Sequence, residues 1–421
     1  MNQIGVGLLG FGTVGSGVFH ALRSQEDVIF RRTGTSLKVR TVLVQNHEKK
    51  RIPDVRSILT TDFSDVLKTD IQVVVEAMGG VEPALTYVKQ AMEMGLHIVT
   101  ANKELVAKHG VELERTARRK GVQFLCEASV GGGIPVLGTL LHFLKSNRIY
   151  RISGILNGTT NYILSRMSDE GDSFEQVLEE ARRQGYAEAD PTADIDGFDA
   201  AYKLSILGRI AFEADVPVSN IRREGIRDVT ALELNLARRL GYTIKLLAVG
   251  EQYGENGPIT LGVEPTLLSI THPLASVHGI YNAIHLEGDV VQDLTLVGQG
   301  AGDLPTSSAI LEDLCNLFVL SPPKRSLSRE PLLLPEEQRG GVRFVCLEPS
   351  QTSEDLNANE LRQRLQSIGL PVEDTVVSPE GGAAFIIHRW HPSFPSVLVA
   401  ELGWDISRMT IRPVHGAKRV Y

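Results

Sequence analysis

Two stretches of this 421-residue chain hold side chains at spacings that matter chemically. The first is Gly185-Tyr186-Ala187-Glu188-Ala189-Asp190-Pro191, which runs on into Asp194, Asp196, Asp199 and Lys203. Asp199 and Lys203 are four apart in a helical stretch, so both project from one face, and an exposed ion pair is the cheapest account of them. Two features point elsewhere: the lysine sits among Ala200, Ala201, Leu204 and Ile206, and the acids precede it in a loop containing glycine and proline. A lysine withdrawn from water beside carboxylates is a candidate for proton transfer, because burial and charge partners tune its hold on the proton.

The second stretch is Gly10-Phe11-Gly12-Thr13-Val14-Gly15, a match to G-x-G-x-x-G. It stands between an apolar strand at 4–9 and a helical pattern at 14–22, the context that separates a dinucleotide fingerprint from a merely structural glycine turn. Gly10 permits the tight turn, Gly12 lets backbone approach a pyrophosphate, and Gly15 lets helix and strand pack closely. The helix N-terminus then offers free N–H groups to the phosphates. An acidic residue at the end of the second strand would hold the ribose of NAD and repel the extra phosphate of NADP. Gln45 and Asn46 stand there instead, with Glu48 the first acid and Arg40, His47, Lys49, Lys50 and Arg51 close by. NADP is the expected cofactor, with NAD the alternative.

These side chains need a frame. Apolar segments at 37–44, 71–77, 96–100 and 122–127 alternate with helical patterns at 83–94 and 104–119, which predicts α/β architecture with a Rossmann-type doubly wound parallel sheet. This dinucleotide-binding domain covers 1–133, to which a last helix at 305–318 returns, adding about 300–320. An α+β substrate-binding and dimerisation domain is expected at 134–299. Its helices are placed at 134–144, 162–168, 174–184 and 198–213, and its strands at 150–156, 244–249, 259–263, 284–287 and 293–297. Residues 321–340, rich in proline, serine and charge, read as a linker. Residues 341–421 then follow a βαββαβ order, the ferredoxin-like arrangement.

Composition narrows the partners. A net charge of −8 leaves no basic face for nucleic acid, and no run approaches the roughly 18 apolar residues of a membrane span. The N-terminus carries no export signal, so a cytoplasmic location is expected. Cys126, Cys315 and Cys346 lack metal-ligand spacing and read as buried packing residues.

Four motifs in register resemble homoserine dehydrogenase: Ala101-Asn102-Lys103-Glu104, the run from Glu127 to Pro135, Asn157-Gly158-Thr159-Thr160-Asn161, and the 185–203 block. The resemblance spans residues 4 to about 320. It implies NAD(P)H-dependent reduction of aspartate semialdehyde to homoserine, and it implies roles. Lys203 would exchange the proton and Asp199 would orient it. Glu188 would bind the substrate ammonium, Lys103 would reach cofactor and substrate, and Asp194 would support the substrate. Gly79, Gly158 and Gly300 would touch the cofactor along with the Gly10–Gly15 turn. A monovalent cation, sodium in most of the family, would lie at Glu127, Val130, Gly132 and Ile134. The resemblance further implies a homodimer or homotetramer. The C-terminal pattern resembles an ACT domain with threonine as a candidate effector, although Leu347-Glu348-Pro349-Ser350-Gln351 replaces the usual first turn.

Two other readings remain open at this point. A different Rossmann-type dehydrogenase would not need the 185–203 block, and a nucleotide-binding sensor without catalysis would not need Glu188, Asp199 and Lys203 intact. Aspartate semialdehyde dehydrogenase, which forms a thioester, needs a nucleophilic cysteine that this reading does not use.

Overall fold

Why the chemistry falls where it does follows from how the strands and helices alternate. A computed structural model describes residues 2–49, 53–317, 319, 332–334, 341–348, 357–379 and 381–416. Its strands are β1 (Asn2–Leu9), β2 (Thr35–Leu43), β3 (Leu59–Thr60), β4 (Val73–Glu76), β5 (His97–Thr100), β6 (Phe124–Leu125), β7 (Ile149–Ile155) and β8 (Arg222–Arg223). There follow β9 (Tyr242–Gln252), β10 (Ile259–Ser269), β11 (Tyr281–Gly288), β12 (Gln292–Gln299), β13 (Val342–Leu347), β14 (Val372–Val377), β15 (Ala383–Ile387) and β16 (Met409–His415). The helices begin with α1 (Thr13–Ser24), α2 (Glu26–Thr33), α3 (Phe63–Lys68), α4 (Ala84–Glu93), α5 (Lys103–Lys120), α6 (Val136–Gly138) and α7 (Gly158–Glu170). They continue with α8 (Phe174–Arg183), α9 (Thr192–Ile195), α10 (Phe198–Ala211), α11 (Ala231–Arg239), α12 (Asp303–Asn316), α13 (Ala358–Ser367) and α14 (Phe394–Leu402).

The chain divides into two compact units, one of Met1–Ile152, Ala201–Ile221 and Asn282–Pro331, the other of Ser153–Ala200, Arg222–Tyr281 and Leu332–Tyr421. In the first, six parallel strands run in the order β3-β2-β1-β4-β5-β6. This is the doubly wound order, and alternation along the strands explains its two cores. Val73 and Val75 face one way, onto Val18 and Leu22 of α1 and Ile310 and Leu314 of α12. Val74 and Ile98 face the other, onto Leu85 and Val88 of α4 and Leu105 and Leu113 of α5. Helix α12 approaches α1 so closely that a methyl on Gly17 would lie 2.6 Å from the Ser307 hydroxyl.

In the second unit β9 and β10 pair antiparallel over eleven residues each. The C-terminal strands are ordered β16-β13-β15-β14 with antiparallel neighbours, and α13 and α14 bury Leu361, Leu365 and Leu398 against Val345 and Phe385. This is the expected βαββαβ module. Strand β16 also pairs parallel with β10 at Leu267 and Leu268, so the module's sheet is continuous with β9 and β10.

Several expected elements differ. The strand expected at 122–127 is confined to Phe124–Leu125, because Glu127–Ser129 winds into a 3-10 turn in which Ser129 N–H and Oγ both donate to the Cys126 carbonyl. The helix expected at 134–144 is a short α6 followed by a π turn, Thr139–Phe143. Helices α2, α3, α9 and α11 and the two-residue strands β3 and β8 were not expected. Of the 321–340 segment read as a linker, nearly all lies outside the described residues, as do Lys50, Arg51 and Pro349 to Gln351.

Candidate functional site

The glycine turn follows β1 directly. Gly10 adopts φ +97°, and its N–H donates to the Leu43 carbonyl at 3.0 Å. A methyl on Gly10 would lie 2.6 Å from the Ala77 carbonyl oxygen, and one on Gly15 would lie 2.2 Å from that of Gly10, so both contacts exclude a side chain. At Gly12, by contrast, a methyl would meet nothing within 4 Å, and no side chain caps α1 there. Gly12 and Thr13 are exposed at this uncapped start of α1, which fits the pyrophosphate of a dinucleotide. Thr13 is exposed, while Phe11 and Val14 are half-buried, Phe11 packing edge-on against Phe19.

Gln45, Asn46, His47, Glu48 and Lys49 are exposed beyond the end of β2. Arg40 is not among them. It is exposed at a bulge within β2, and its guanidinium donates to Gln3 Oε1, near the end of β1 remote from the glycine turn. The structure thus sets Arg40, grouped in the sequence with the basic residues near the end of β2, beside Gln3 instead.

At the ends of β4 and β5, Glu76 is wholly buried and accepts from Thr100 Oγ1 at 2.5 Å and from Met78 N–H at 2.8 Å. Burial pushes its carboxyl above the ordinary range, against these donors. Asn102 Nδ2 donates to the Gly80 carbonyl at 2.6 Å, and Asn102 Oδ1 accepts from Leu105 N–H at 3.1 Å, capping α5. Gly79 and Gly80, both at positive φ, and Lys103, the first residue of α5, are thus held by one hydrogen-bonded group.

The second unit gathers the acids. Asn157 Nδ2 donates to Asp194 Oδ1 at 2.7 Å and to Asp199 Oδ2 at 3.0 Å, while its Oδ1 accepts from Thr160 N–H and caps α7 immediately before Gly158. The Thr159 hydroxyl lies 2.7 Å from the Tyr186 carbonyl and 3.1 Å from Asp194 Oδ2. Asn157, to which sequence reasoning assigns no role, joins two of the predicted acids. Asp196 is diverted to an ion pair with Arg227. Glu188, expected to bind the substrate ammonium, is exposed on the loop after α8.

Helix α10 carries both Asp199, 4% exposed, and Lys203, 7% exposed. Burial of both rules out the solvent-exposed ion pair. Further along α10, Arg209 Nη1 donates to the Val106 carbonyl at 3.0 Å and its guanidinium fills the space where Gly110 has no side chain.

The loop after β6 places Glu127, Val130, Gly132 and Ile134 in the first unit, all buried. Glu127 Oε1 accepts from Leu137 N–H at 2.9 Å and Oε2 from Gly138 N–H at 2.5 Å, yet burial raises its carboxyl to about 7. Its own N–H donates to the buried carboxylate of Asp313, which burial also holds well above the ordinary range. Gly131 and Gly132 take positive φ, and a methyl on Gly132 would lie 2.5 Å from the Gly300 carbonyl. Among the described residues no group of three or more His, Cys, Asp or Glu is arranged to hold a metal, so a cation here would depend on carbonyl oxygens beside one carboxylate. One buried carboxylate and a glycine-rich turn fit a hard monovalent ion. Burial pushes the Cys126 thiol up to about 12, which suits packing rather than nucleophilic attack.

With this geometry in place, comparison with known proteins is specific. The family model for the homoserine dehydrogenase NAD-binding domain matches residues 10–127, and that for homoserine dehydrogenase matches 135–315. Homoserine dehydrogenase of Bacillus subtilis is 43% identical over 316 residues, covering 75% of this chain and 72% of the relative. The crystal structure of a homoserine dehydrogenase from Thiobacillus denitrificans superposes with a TM-score of 0.85 at 35% identity, covering 98% of each chain. A hyperthermophilic archaeal homoserine dehydrogenase solved in complex with NADPH gives a TM-score of 0.65 at 26% identity, covering 77% of this chain and all of its own.

Proposed function

Because the chain belongs to the homoserine dehydrogenase family, NAD(P)-dependent oxidoreductases that reversibly reduce aspartate 4-semialdehyde to homoserine in threonine, methionine and isoleucine biosynthesis, we propose that Lys203 carries the proton of that reaction. The carrying observation is that Asp199 and Lys203, one turn apart on α10, are both more than nine-tenths buried. A lysine so placed gives its proton to the carbonyl oxygen in the reductive direction and recovers it from the hydroxyl in the other. Asp199, fixed by Asn157, orients that exchange, and Asp194, fixed by Asn157 and Thr159, supports the substrate. Exposed Glu188 is assigned to the substrate ammonium. Lys103, set by the Asn102 cap, reaches toward cofactor and substrate.

When bound, the nicotinamide supplies hydride. The chain's own part is to hold it. The uncapped start of α1 takes the pyrophosphate, and Gly79, Gly158 and Gly300 are assigned to the cofactor as the family resemblance implies. Exposed Gln45 and Asn46, with His47 and Lys49 beside them, support NADP over NAD, since no carboxylate stands there to reject the 2′-phosphate. Glu127, with carbonyls of Val130, Gly132 and Ile134, is assigned to sodium. We also assign the chain to the cytoplasm, as a homodimer or homotetramer; among the described residues no helix is long and apolar enough to cross a membrane.

One assay tests the core of this reading. Oxidation of NADPH and of NADH, followed by absorbance with aspartate semialdehyde, should give turnover with both and a clearly higher kcat/KM for NADPH. Better use of NADH would overturn the cofactor assignment.

A further inference from the structure

We propose that Arg412, in the C-terminal module, is a positioning residue for the acidic substrate loop, residues 194–199. The proposal rests on the reading that Asp194 and Asp199 serve the substrate. It reaches beyond the family models, whose matches end at residue 315.

Arg412 lies on β16 and is 2% exposed. Its Nε donates to Glu233 Oε1 at 2.8 Å, with Nη2 at 3.5 Å from Oε2, while Nη1 donates to Glu224 Oε1. A single planar guanidinium therefore ties the fully buried Glu233 of α11 to Glu224, which follows β8. Such a fork fixes both distance and orientation, which a lysine's single point charge would not.

Glu224 belongs to a segment, 222–227, that is laid against the acid loop. A methyl on Gly225 would lie 2.4 Å from the Ile195 carbonyl oxygen and 2.8 Å from Asp196 Cα, so the two backbones touch with no side chain between them. Ile226 N–H donates to the Ile195 carbonyl at 2.9 Å. Arg223 donates to the Asp196 carbonyl, and its guanidinium carbon lies 3.3 Å from the centroid of the Phe198 ring. Arg227 Nε donates to Asp196 Oδ1 at 2.5 Å. Every one of these contacts falls on Ile195, Asp196 or Phe198, the neighbours of Asp194 and Asp199. Direct backbone contact leaves little slack, so a shift of 222–227 moves the loop with it. The path from Arg412 to the acids is thus one ion-paired side chain and one rigid turn.

Steady-state kinetics on the full chain test this with four variants: Arg412→Met, Arg412→Lys, Glu224→Gln and Asp194→Asn. Arg412→Met and Glu224→Gln should raise the homoserine KM about tenfold, the scale of coupling carried by one such contact, with the NADP KM within about twofold. Arg412→Lys should fall between wild type and Arg412→Met, because it keeps the charge but not the fork. If Arg412→Met fails to fold by circular dichroism, Glu224→Gln, altered at the exposed end of the network, carries the test. Asp194→Asn should itself raise the homoserine KM. If it does and folded Glu224→Gln does not, the proposal is wrong; if Asp194→Asn leaves that KM unchanged, the substrate-loop reading fails and takes the proposal with it. Equal increases in both KM values, or a lowered Tm alone, would show Arg412 to be purely structural.

Discussion

Replacing Lys203 with alanine removes the group assigned to the proton, and kcat should fall about a hundredfold or more, the usual scale for a lost general acid. Near-normal turnover in a folded variant would overturn the assignment. Glu127 gives a second test at the same scale, and its sign follows from burial. Its carboxyl is raised from 4.5 to about 7, so the folded chain favours the protonated form. Stability from this source is complete below pH 4.5, falls as the unfolded chain ionises first, and is lost above about pH 7. The shift corresponds to about 3 kcal/mol, read as a fall in Tm between pH 5 and 7.5 that flattens in Glu127→Gln. An ion held by the ionised carboxylate reverses part of that loss, so sodium should raise Tm more at pH 8 than at pH 5. Equal effects of sodium and of choline at both pH values would remove the cation from Glu127. Residue spacing made Asp199 and Lys203 legible, because helical periodicity alone places them on one face. Asn157 reaches Asp194 and Asp199 across 37 and 42 positions, and no local pattern records a contact of that span.

Between β4, β5 and α5, Asn102 performs three tasks at once: it caps α5, ties Gly80, and faces Glu76 at 3.5 Å. Asn102→Ala should therefore cost about 1–2 kcal/mol, read from a urea midpoint, since loss of a cap is compounded by an unsatisfied carbonyl. NADPH binding, followed by fluorescence, should weaken in parallel because Asn102 joins the Gly79–Gly80 turn to the start of α5, where Lys103 stands. Unchanged stability and unchanged affinity together would show that these loops hold their shape without it. Strands β1, β2, β4 and β5 were legible as elements because each centres on a short apolar run between turn signals, whereas the two-residue β3, Leu59–Thr60, offers no such run. The segment 122–127 shows where that reasoning stops. Its apolar run continues the strand pattern, but the buried Glu127 is drawn to the amides at 137 and 138, and the chain must turn to reach them. Helix α11 was missed although Thr230 and Glu233 stand at the spacing of an N-terminal cap, and Thr230 does accept from Glu233 N–H.

The C-terminal module bears on the molecule as a whole because its sheet is not set apart from the second unit. Strand β16 joins β10, and β10 carries β8 with Arg222 and Arg223. An amino acid bound by the module can act on catalysis only if it binds two arrangements of that sheet unequally. Threonine is the candidate effector that the resemblance to an ACT domain implies. Titration with threonine to millimolar concentration should then raise the homoserine KM. Linkage requires that homoserine weaken threonine binding by the same factor, about 5- to 150-fold for a coupling of ordinary size. Calorimetry with and without homoserine measures that reciprocity directly. Threonine binding that homoserine leaves unchanged would place it at a site uncoupled from catalysis, weakening that grows without limit as homoserine is added would place it at the active site, and an absence of both binding and inhibition would leave the module the architectural task of holding β10 and, through Arg412, the loop beside the acids.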